Sequence, residues 1–271
     1  MNRQFGFYMK QKTSYKNNLI SLLDQTYPGI NALFDSPAHS DGSQKWVDFV
    51  SSFWHVDCVR NLGLTTFTDR YQKWCKRHGY NFQPEKPAQI YSFSKKLISV
   101  FTKTPVSKLL VKQAVEQPNT VSFTVEQLCL EMNHLSAQLP EYQVVMDMKG
   151  VGPSLGPQLI AEIGDLSRFS PREALTAYAG VDPGANQSGA YETHSVRTSR
   201  RGSPQLRKTL FQVMDVLIKS APSDDAVYRF MDKKRSEGKP YYVYMTAGAN
   251  NFLRIYYGHV KEYLATLPKP E

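Results

Sequence analysis

Apolar residues in the first half of the chain recur at the spacing of amphipathic helices, with polar loops between them. One stripe covers 15–23 and stops at Tyr27-Pro28-Gly29, because proline and glycine end helices. Two further stripes, at 46–54 and 67–75, consist mainly of Trp, Phe and Tyr. Stripes of this kind usually form packed helix faces rather than ligand sites, so we assign them to packing.

Later helices are predicted at 128–139, stopping at Pro140, and at 241–267. Between them, Gly202-Ser203-Pro204 opens a helix whose apolar residues run from 206 to 218. The preceding segment at 181–189 is too rich in Gly, Pro and Asn to be regular.

The pattern as a whole predicts a mainly α fold in three parts. Residues 1–140 form a helical linker or assembly region, 141–236 form a compact helical domain, and 237–271 carry a C-terminal helix. The middle part is expected to contain a helix-hairpin-helix and a small irregular or β segment, with a short strand at 193–198.

A pair of glycines marks the predicted hairpin. They stand in the run Met148-Lys-Gly-Val-Gly-Pro153, and the second helix is expected to begin at Pro153, a favoured first-turn residue. Backbone amides at a helix N-terminus point toward a phosphate, so the run has the form of a motif that grips nucleic-acid backbone without reading bases. The same pattern also occurs in plain helix connections. The DNA-binding candidates here are Lys149, Gly150, Val151 and Gly152.

The chain is basic, with 33 Lys and Arg against 24 Asp and Glu and a formal net charge of +9. This balance favours nucleic acid as a partner. The run at 194–219 holds six basic residues against Asp215. Two of them lie in the first turns of a predicted helix, where the helix dipole disfavours cations, which suggests an anion nearby. A solvated surface is the alternative. The DNA-binding candidates of this run are Arg197, Arg200, Arg201, Arg207 and Lys208.

Other features exclude several classes of protein. There is no run of eighteen apolar residues, and the N-terminus lacks the apolar segment of a secretory signal. Cys58, Cys75 and Cys129 are odd in number and far apart, which argues against a disulfide framework and against a zinc site. The six histidines show no ligand spacing, and no glycine-rich nucleotide loop is present. We expect a cytoplasmic protein that binds no membrane.

Several short segments follow one another in a specific order between 142 and 235. They are Met148-Lys-Gly150-Val-Gly152-Pro153, Leu159-Ile-Ala161-Glu162-Ile163-Gly164-Asp165, Arg168-Phe169, Leu175-Thr-Ala-Tyr178-Ala-Gly180-Val-Asp-Pro183, Gln187-Ser188-Gly189, Arg201-Gly202 and Leu206-Arg207. In this order and spacing they resemble the C-terminal transposase domain of the insertion-sequence one-ten family of transposases. Residues 1–140 are only loosely similar to the helical linker of that family.

The resemblance implies a serine-dependent DNA recombinase. In that family the serine of the Gln-Ser-Gly stretch attacks a DNA phosphodiester and forms a phosphoserine link, which makes Ser188 the catalytic candidate here. Gln187 and Gly189, on either side of it, would allow close approach of the backbone to a phosphate. Arg197, Arg200 and Arg207 could clamp the phosphate oxygens. Composition alone favours a simpler interpretation, in which Ser188 is a turn residue that bonds its own backbone.

The resemblance also implies partners and a cofactor. Full-length members carry an RNase H-like domain with four metal-binding acids, for which we find no substitute: Glu162 and Asp165 lie at a helix end, and Asp224-Asp225 is equally consistent with a helix cap. We therefore expect a partial chain that binds no cofactor itself and uses Mg²⁺ only with the missing acidic domain. The family further implies a structured non-coding guide RNA and a homo-oligomer, dimer or tetramer, on DNA.

Two other functions compete with a recombinase. One is a non-catalytic helix-hairpin-helix module that only holds DNA, and the other is an assembly subunit that relies on the helical stripes and the last helix. Stacking on RNA by the aromatic stripes is a further possibility, but core packing explains the same side chains more simply. The aromatic residues concerned are Trp46, Phe53, Trp54, Tyr71 and Trp74.

Overall fold

A computed structural model describes residues 1–182 and 198–268 of the chain. Within these ranges the regular structure is helical, which confirms the predicted mainly α fold. The predicted strand at 193–198 lies outside the described residues, apart from Thr198. The α-helices of the described ranges are α1 (Asn2–Thr26), α2 (Lys45–Ser52), α3 (Asp57–Arg60), α4 (Leu64–Arg77), α5 (Glu85–Lys95), α6 (Pro105–Ser136), α7 (Tyr142–Met146), α8 (Leu155–Ile163), α9 (Glu173–Ala179), α10 (Pro204–Ser220), α11 (Ala226–Ser236) and α12 (Tyr241–Thr266).

The chain divides into two compact units, and the division falls between Leu128 and Cys129, inside α6. We call residues 3–128 the N-terminal unit and the residues from 129 onward the C-terminal unit. The sequence placed a boundary at 140 and a separate helix after 236. The structure differs because the apolar face of α12, which includes Phe252 and Tyr256, is buried in the same core as α8 and α10.

The core of the N-terminal unit is built largely from aromatic rings. Phe49 on α2 is fully buried at its centre. Ring centroids of five neighbours lie between 4.8 and 6.3 Å from that of Phe49, so the predicted packing role of the aromatic stripes is confirmed. These neighbours are Tyr27, Phe34, Phe53, Tyr71 and Trp74.

Helix α6 is much longer than the stripe at 128–139 predicted. It begins at Pro105 and includes Pro118 in its interior. Proline and the β-branched residues Val111 and Val115 weaken a helix prediction from sequence. Both valines are buried in the core of the N-terminal unit, and this packing outweighs their low helix propensity.

The core of the C-terminal unit is built mainly from aliphatic and methionine side chains, with a few buried rings such as Phe252 and Tyr256. Leu159 and Ile163 on α8 are fully buried there, with Leu210 and Met214 on α10. The predicted start of α10 is confirmed: the hydroxyl of Ser203 accepts a hydrogen bond from the Leu206 amide at 3.1 Å, as an N-cap does.

Candidate nucleic-acid interface

The connection between α7 and α8, where the sequence predicts a hairpin, turns at Gly150, whose φ is +78°. A Cβ at this position would lie 2.8 Å from Leu217 Cγ and 3.1 Å from the Val213 carbonyl oxygen, both on α10. Glycine is therefore needed for the hairpin to pack on α10. The Val151 amide donates to the Met148 carbonyl at 3.1 Å, so it already has an acceptor inside the turn.

The second helix of the hairpin begins at Leu155, two residues later than the predicted Pro153. The amides of Leu155 and Gly156 both donate to the Gly152 carbonyl, at 3.0 and 2.8 Å, and the bond from Gly156 spans four residues, as the first bond of an α-helix does. The ammonium group of Lys149 lies 3.4 Å from a carboxylate oxygen of Asp224, and both side chains are more than half exposed. A phosphate contact by the hairpin stays a prediction.

The described residues on either side of 183–197 are bonded to each other. The Ser199 amide donates to the Asp182 carbonyl at 3.1 Å, and the Ser199 hydroxyl donates to the Asp182 carboxylate at 2.5 Å. We call this pair, Asp182 and Ser199, the loop base, after the irregular segment that the sequence predicts at 181–189. The predicted site residues Gln187, Ser188, Gly189 and Arg197 belong to that segment and lie outside the described residues.

Backbone contacts hold the residues after this loop base against the end of α9. The Ser203 amide donates to the Tyr178 carbonyl at 2.7 Å. Gly202 has a φ of +103°, and a Cβ there would overlap the Tyr178 carbonyl oxygen. Gly180, with a φ of +66°, faces the carbonyl of Arg201 in the same way. Two glycines therefore permit the close approach that fixes the loop base.

A cleft of about 1010 Å³ opens beside the loop base, between α10, α11 and α12. Val181 and Thr198, next to Asp182 and Ser199, line its edge. Five cationic side chains also line it, and three of them were predicted from the sequence as DNA-binding residues. The five are Arg200, Arg207, Lys208, Lys234 and Arg254.

The same part of the chain matches known proteins. Residues 142–229 match the family described as Transposase IS116/IS110/IS902. Residues 142–229 are therefore similar to the transposase domain of this family. The resemblance stated from the short segments is thereby confirmed.

Two insertion-element proteins are similar over parts of their length. The chain is 26% identical over 127 residues to the insertion element IS900 uncharacterized 42 kDa protein of Mycobacterium paratuberculosis, covering 46% of this chain and 31% of that protein. It is 30% identical over 97 residues to the insertion element IS116 uncharacterized 44.8 kDa protein of Streptomyces clavuligerus, covering 35% of this chain and 23% of the relative. The chain thus spans less than a third of either relative.

The predicted cations of the transposase domain differ in how they are held. Arg207 is half-buried, and its guanidinium donates to the Ala179 carbonyl at 3.0 Å, which also satisfies the C-terminal end of α9. Lys208 is exposed. Arg200 is exposed and has a φ of +48°, a backbone conformation that non-glycine residues rarely adopt. Arg201 is also exposed, but it is not among the residues lining the cleft.

Several residues of the cleft were missed by the sequence analysis. They lie on α10, α11 and α12 and combine aromatic rings with side-chain amides: Phe211, Phe230, Tyr242, Asn250 and Asn251. Of these, Tyr242 is 72% exposed, which is unusual for a tyrosine in a helix of a packed domain. The sequence did contain one signal for Tyr242, namely an aromatic residue on the polar face of a predicted helix. That signal indicates a binding residue only when it is known which face of the helix remains exposed after packing.

The described residues that line the cleft include no carboxylate and so offer no magnesium site. Among residues 1–182 and 198–268 there is no group of three side chains able to hold a metal ion. Asp182 accepts from Ser199, and Asp165 accepts from the Ser167 amide. Asp225 caps α11 by accepting from the Tyr228 amide at 2.7 Å, so the predicted cap is found at this residue. We derive no step through a metal held by these groups.

No helix within residues 1–182 and 198–268 is both long enough and apolar enough to cross a bilayer.

Proposed function

We propose that the transposase domain cuts and rejoins DNA through Ser188. The observation that carries this proposal is the position of the loop base, where Asp182 and Ser199 are joined at the edge of a cleft lined by five cations. Ser188 lies six positions after Asp182 in the chain, and a cleft lined by cations attracts phosphate groups. The family match over 142–229 supports the same chemistry.

The proposed reaction is a transesterification. The Ser188 oxygen forms a bond to phosphorus, the bond from phosphorus to the deoxyribose oxygen breaks, and the serine proton is released to a base while the leaving oxygen takes one up. The phosphoserine conserves the phosphodiester, so a second DNA hydroxyl can attack it and restore the free serine. No external energy source is required for rejoining.

The cations would hold the phosphate during both steps. Arg207 is fixed by the Ala179 carbonyl, so part of its guanidinium is positioned in advance and the rest can face an oxygen of the phosphate. Lys208 and Arg200, which line the same cleft, would neutralise the charge that develops on the phosphate. The predicted DNA-binding role of Arg197 completes this set.

Further partners belong to the same proposal. Mg²⁺ is proposed only together with an acidic domain outside the described residues, whose carboxylates would hold the ion so that it supplies positive charge near the reacting phosphate. A structured guide RNA and a homo-oligomer on DNA are proposed for this chain on the family resemblance.

The test is formation of a covalent protein–DNA adduct that survives SDS. Element-end DNA would be incubated with Mg²⁺ and an extract of cells that carry the element, so that other required components are present. We expect Ser188→Ala to abolish the adduct while leaving DNA affinity within about twofold, since a binding contact is not removed. The matched control is Ser220→Ala, an exposed serine of α10 whose hydroxyl bonds the Val216 carbonyl. An adduct that persists in Ser188→Ala refutes the role of this residue.

A DNA-binding module without catalysis is the second candidate. It is favoured by the lining of the cleft, which among the described residues holds five cations and no carboxylate. Under this alternative the wild-type chain binds DNA with strong salt dependence and forms no adduct under any of the conditions above.

A further inference from the structure

The cleft has a second half that phosphate binding alone does not explain. On the side formed by α11 and α12 it is lined by the rings of Phe230 and Tyr242 and by the side-chain amides of Asn250 and Asn251. Phe230 is 37% exposed and Tyr242 is 72% exposed. Residues from Lys234 onward lie beyond the matched residues 142–229, so the family match does not account for this half.

The two kinds of group are close enough to act on one ligand. The ring of Phe211 lies 6.5 Å from that of Tyr242, centroid to centroid, at an interplanar angle of 44°. The ammonium group of Lys234 lies 5.0 Å above the ring of Phe230. The cleft thus has one pair of neighbouring rings and a third ring with a cation over it.

We infer that this half of the cleft holds an unpaired nucleotide of a nucleic-acid strand, with its base stacked on Tyr242 and its phosphates on the neighbouring cations. That the ligand is a nucleic acid rests on the proposed function. Base stacking on an aromatic side chain, together with cations that follow the backbone, is how single strands are bound without sequence preference. Asn250 and Asn251 add donors and acceptors suited to a base edge.

An unpaired nucleotide fits better than a duplex for a geometric reason. In a duplex both faces of each base are covered by its neighbours, so an aromatic ring can reach a base face only when the base leaves the stack. The cleft, at about 1010 Å³, is at the upper end of ligand-pocket volumes and can take a nucleotide with its flanking phosphates. A DNA strand opened near the cut and a guide RNA share this chemistry.

The experiment measures affinity of the full chain for labelled oligonucleotides by fluorescence anisotropy. Three probes of the same sequence are used: single-stranded DNA, single-stranded RNA and duplex DNA. We expect Tyr242→Ala to weaken binding of at least one single strand about tenfold and to leave duplex binding within twofold, while Tyr242→Phe binds normally because stacking needs only the ring. Loss with DNA alone, with RNA alone or with both identifies the source of the nucleotide.

Controls separate stacking from charge and from misfolding. Phe123→Ala removes an aromatic residue that is 55% exposed on α6 in the N-terminal unit, and it should leave all three affinities unchanged. Lys208→Gln should weaken single-stranded and duplex probes alike. Because Tyr242 is largely exposed, Tyr242→Ala should keep the wild-type melting temperature. A 2-aminopurine in the single strand should be quenched on binding to the wild type and not to Tyr242→Ala.

The inference is overturned if Tyr242→Ala binds every probe normally, or if it loses single-stranded and duplex binding equally. Its failure differs from failure of the proposed function, since the adduct depends on Ser188 and the anisotropy difference depends on Tyr242. If the adduct forms normally and Tyr242→Ala has no effect on binding, only the nucleotide site is refuted. If Tyr242→Ala weakens binding tenfold and no adduct forms, only the catalytic role of Ser188 is refuted.

Discussion

The two units of this chain use aromatic residues differently. In the N-terminal unit the rings of Phe49, Tyr71 and Trp74 are buried against one another, and they form the core. In the C-terminal unit some rings, such as that of Tyr256, are buried in a largely aliphatic core, whereas Phe230 and Tyr242 are exposed at a cleft. Aromatic residues therefore stabilise both units, and in the C-terminal unit they also provide a candidate binding surface.

A cation close to an aromatic ring does not by itself distinguish the exposed rings of the cleft from the packed rings of the N-terminal unit. In the N-terminal unit Lys45 lies 5.2 Å above the ring of Tyr80, and Lys86 lies 5.7 Å above that of Phe34. Those pairs sit at the margin of a packed core. In the C-terminal unit three rings and five cations line one cavity large enough for a ligand. Convergence of exposed groups, rather than a cation–aromatic contact as such, indicates binding.

The largest expected effect comes from truncating a ring in each unit. Phe49→Ala should destabilise the N-terminal unit by about 3–5 kcal/mol, because a fully buried ring leaves a cavity among five aromatic neighbours. Phe230→Ala should cost about 1 kcal/mol or less, because its ring is 37% exposed. Urea unfolding followed by circular dichroism measures both. If the two variants lost equal free energy of unfolding, Phe49 and Phe230 would not have the different roles described here.

A second prediction concerns the glycines that fix the loop base. Gly202→Ala should destabilise the C-terminal unit by about 1–3 kcal/mol and weaken DNA binding, because its φ is +103° and a Cβ would overlap the Tyr178 carbonyl. Gly258→Ala is the matched control: no atom lies within 4 Å of its Cβ position in α12, so it should stabilise by up to about 1 kcal/mol. Thermal unfolding and DNA titration of both variants test the claim, and a harmless Gly202→Ala contradicts it.

A third prediction uses a buried tyrosine from each unit. Burial raises the pKa of Tyr27 and of Tyr256 above the ordinary 10.0. The folded state then keeps protons that the unfolded state releases, so stability is full below pH 10 and falls as pH rises beyond it, by about 1.4 kcal/mol per pH unit for each group. Tyr27→Phe and Tyr256→Phe should each remove one such slope. Unfolding measured between pH 9 and 11.5 gives the slopes, and unchanged slopes in the variants exclude these side chains as the cause.

The smallest expected effect distinguishes two adjacent cations of the cleft. Arg207→Ala should cost about 1 kcal/mol of stability, because it removes the hydrogen bond to the Ala179 carbonyl. Lys208→Ala should leave stability within about 0.5 kcal/mol, since its side chain is exposed. Both variants should lower the salt dependence of DNA binding by about one ion. If Lys208→Ala destabilises as much as Arg207→Ala, the two cations do not have the separate roles proposed here.

Several helices and three of the cations that line the cleft followed from local patterns. The stripes at 46–54 and 67–75 predicted helices that do pack through their rings, and Gly202-Ser203-Pro204 predicted the opening of α10. Local rules succeed here because capping and helical periodicity involve residues within a few positions of one another. They failed at α6, where tertiary burial of Val111 and Val115 outweighs propensity.

The sequence by itself determined the helical class, the basic character of the region around α10 and the family resemblance, all of which depend on order and composition along the chain. Only the tertiary structure decided that Phe230 and Tyr242 face the same cavity as Arg207 and Lys208. It also decided that Gly150 serves contact with α10 and that Arg207 is anchored on Ala179. The reason is physical: which side chains remain exposed together depends on how helices pack, and packing joins residues that are far apart in the chain.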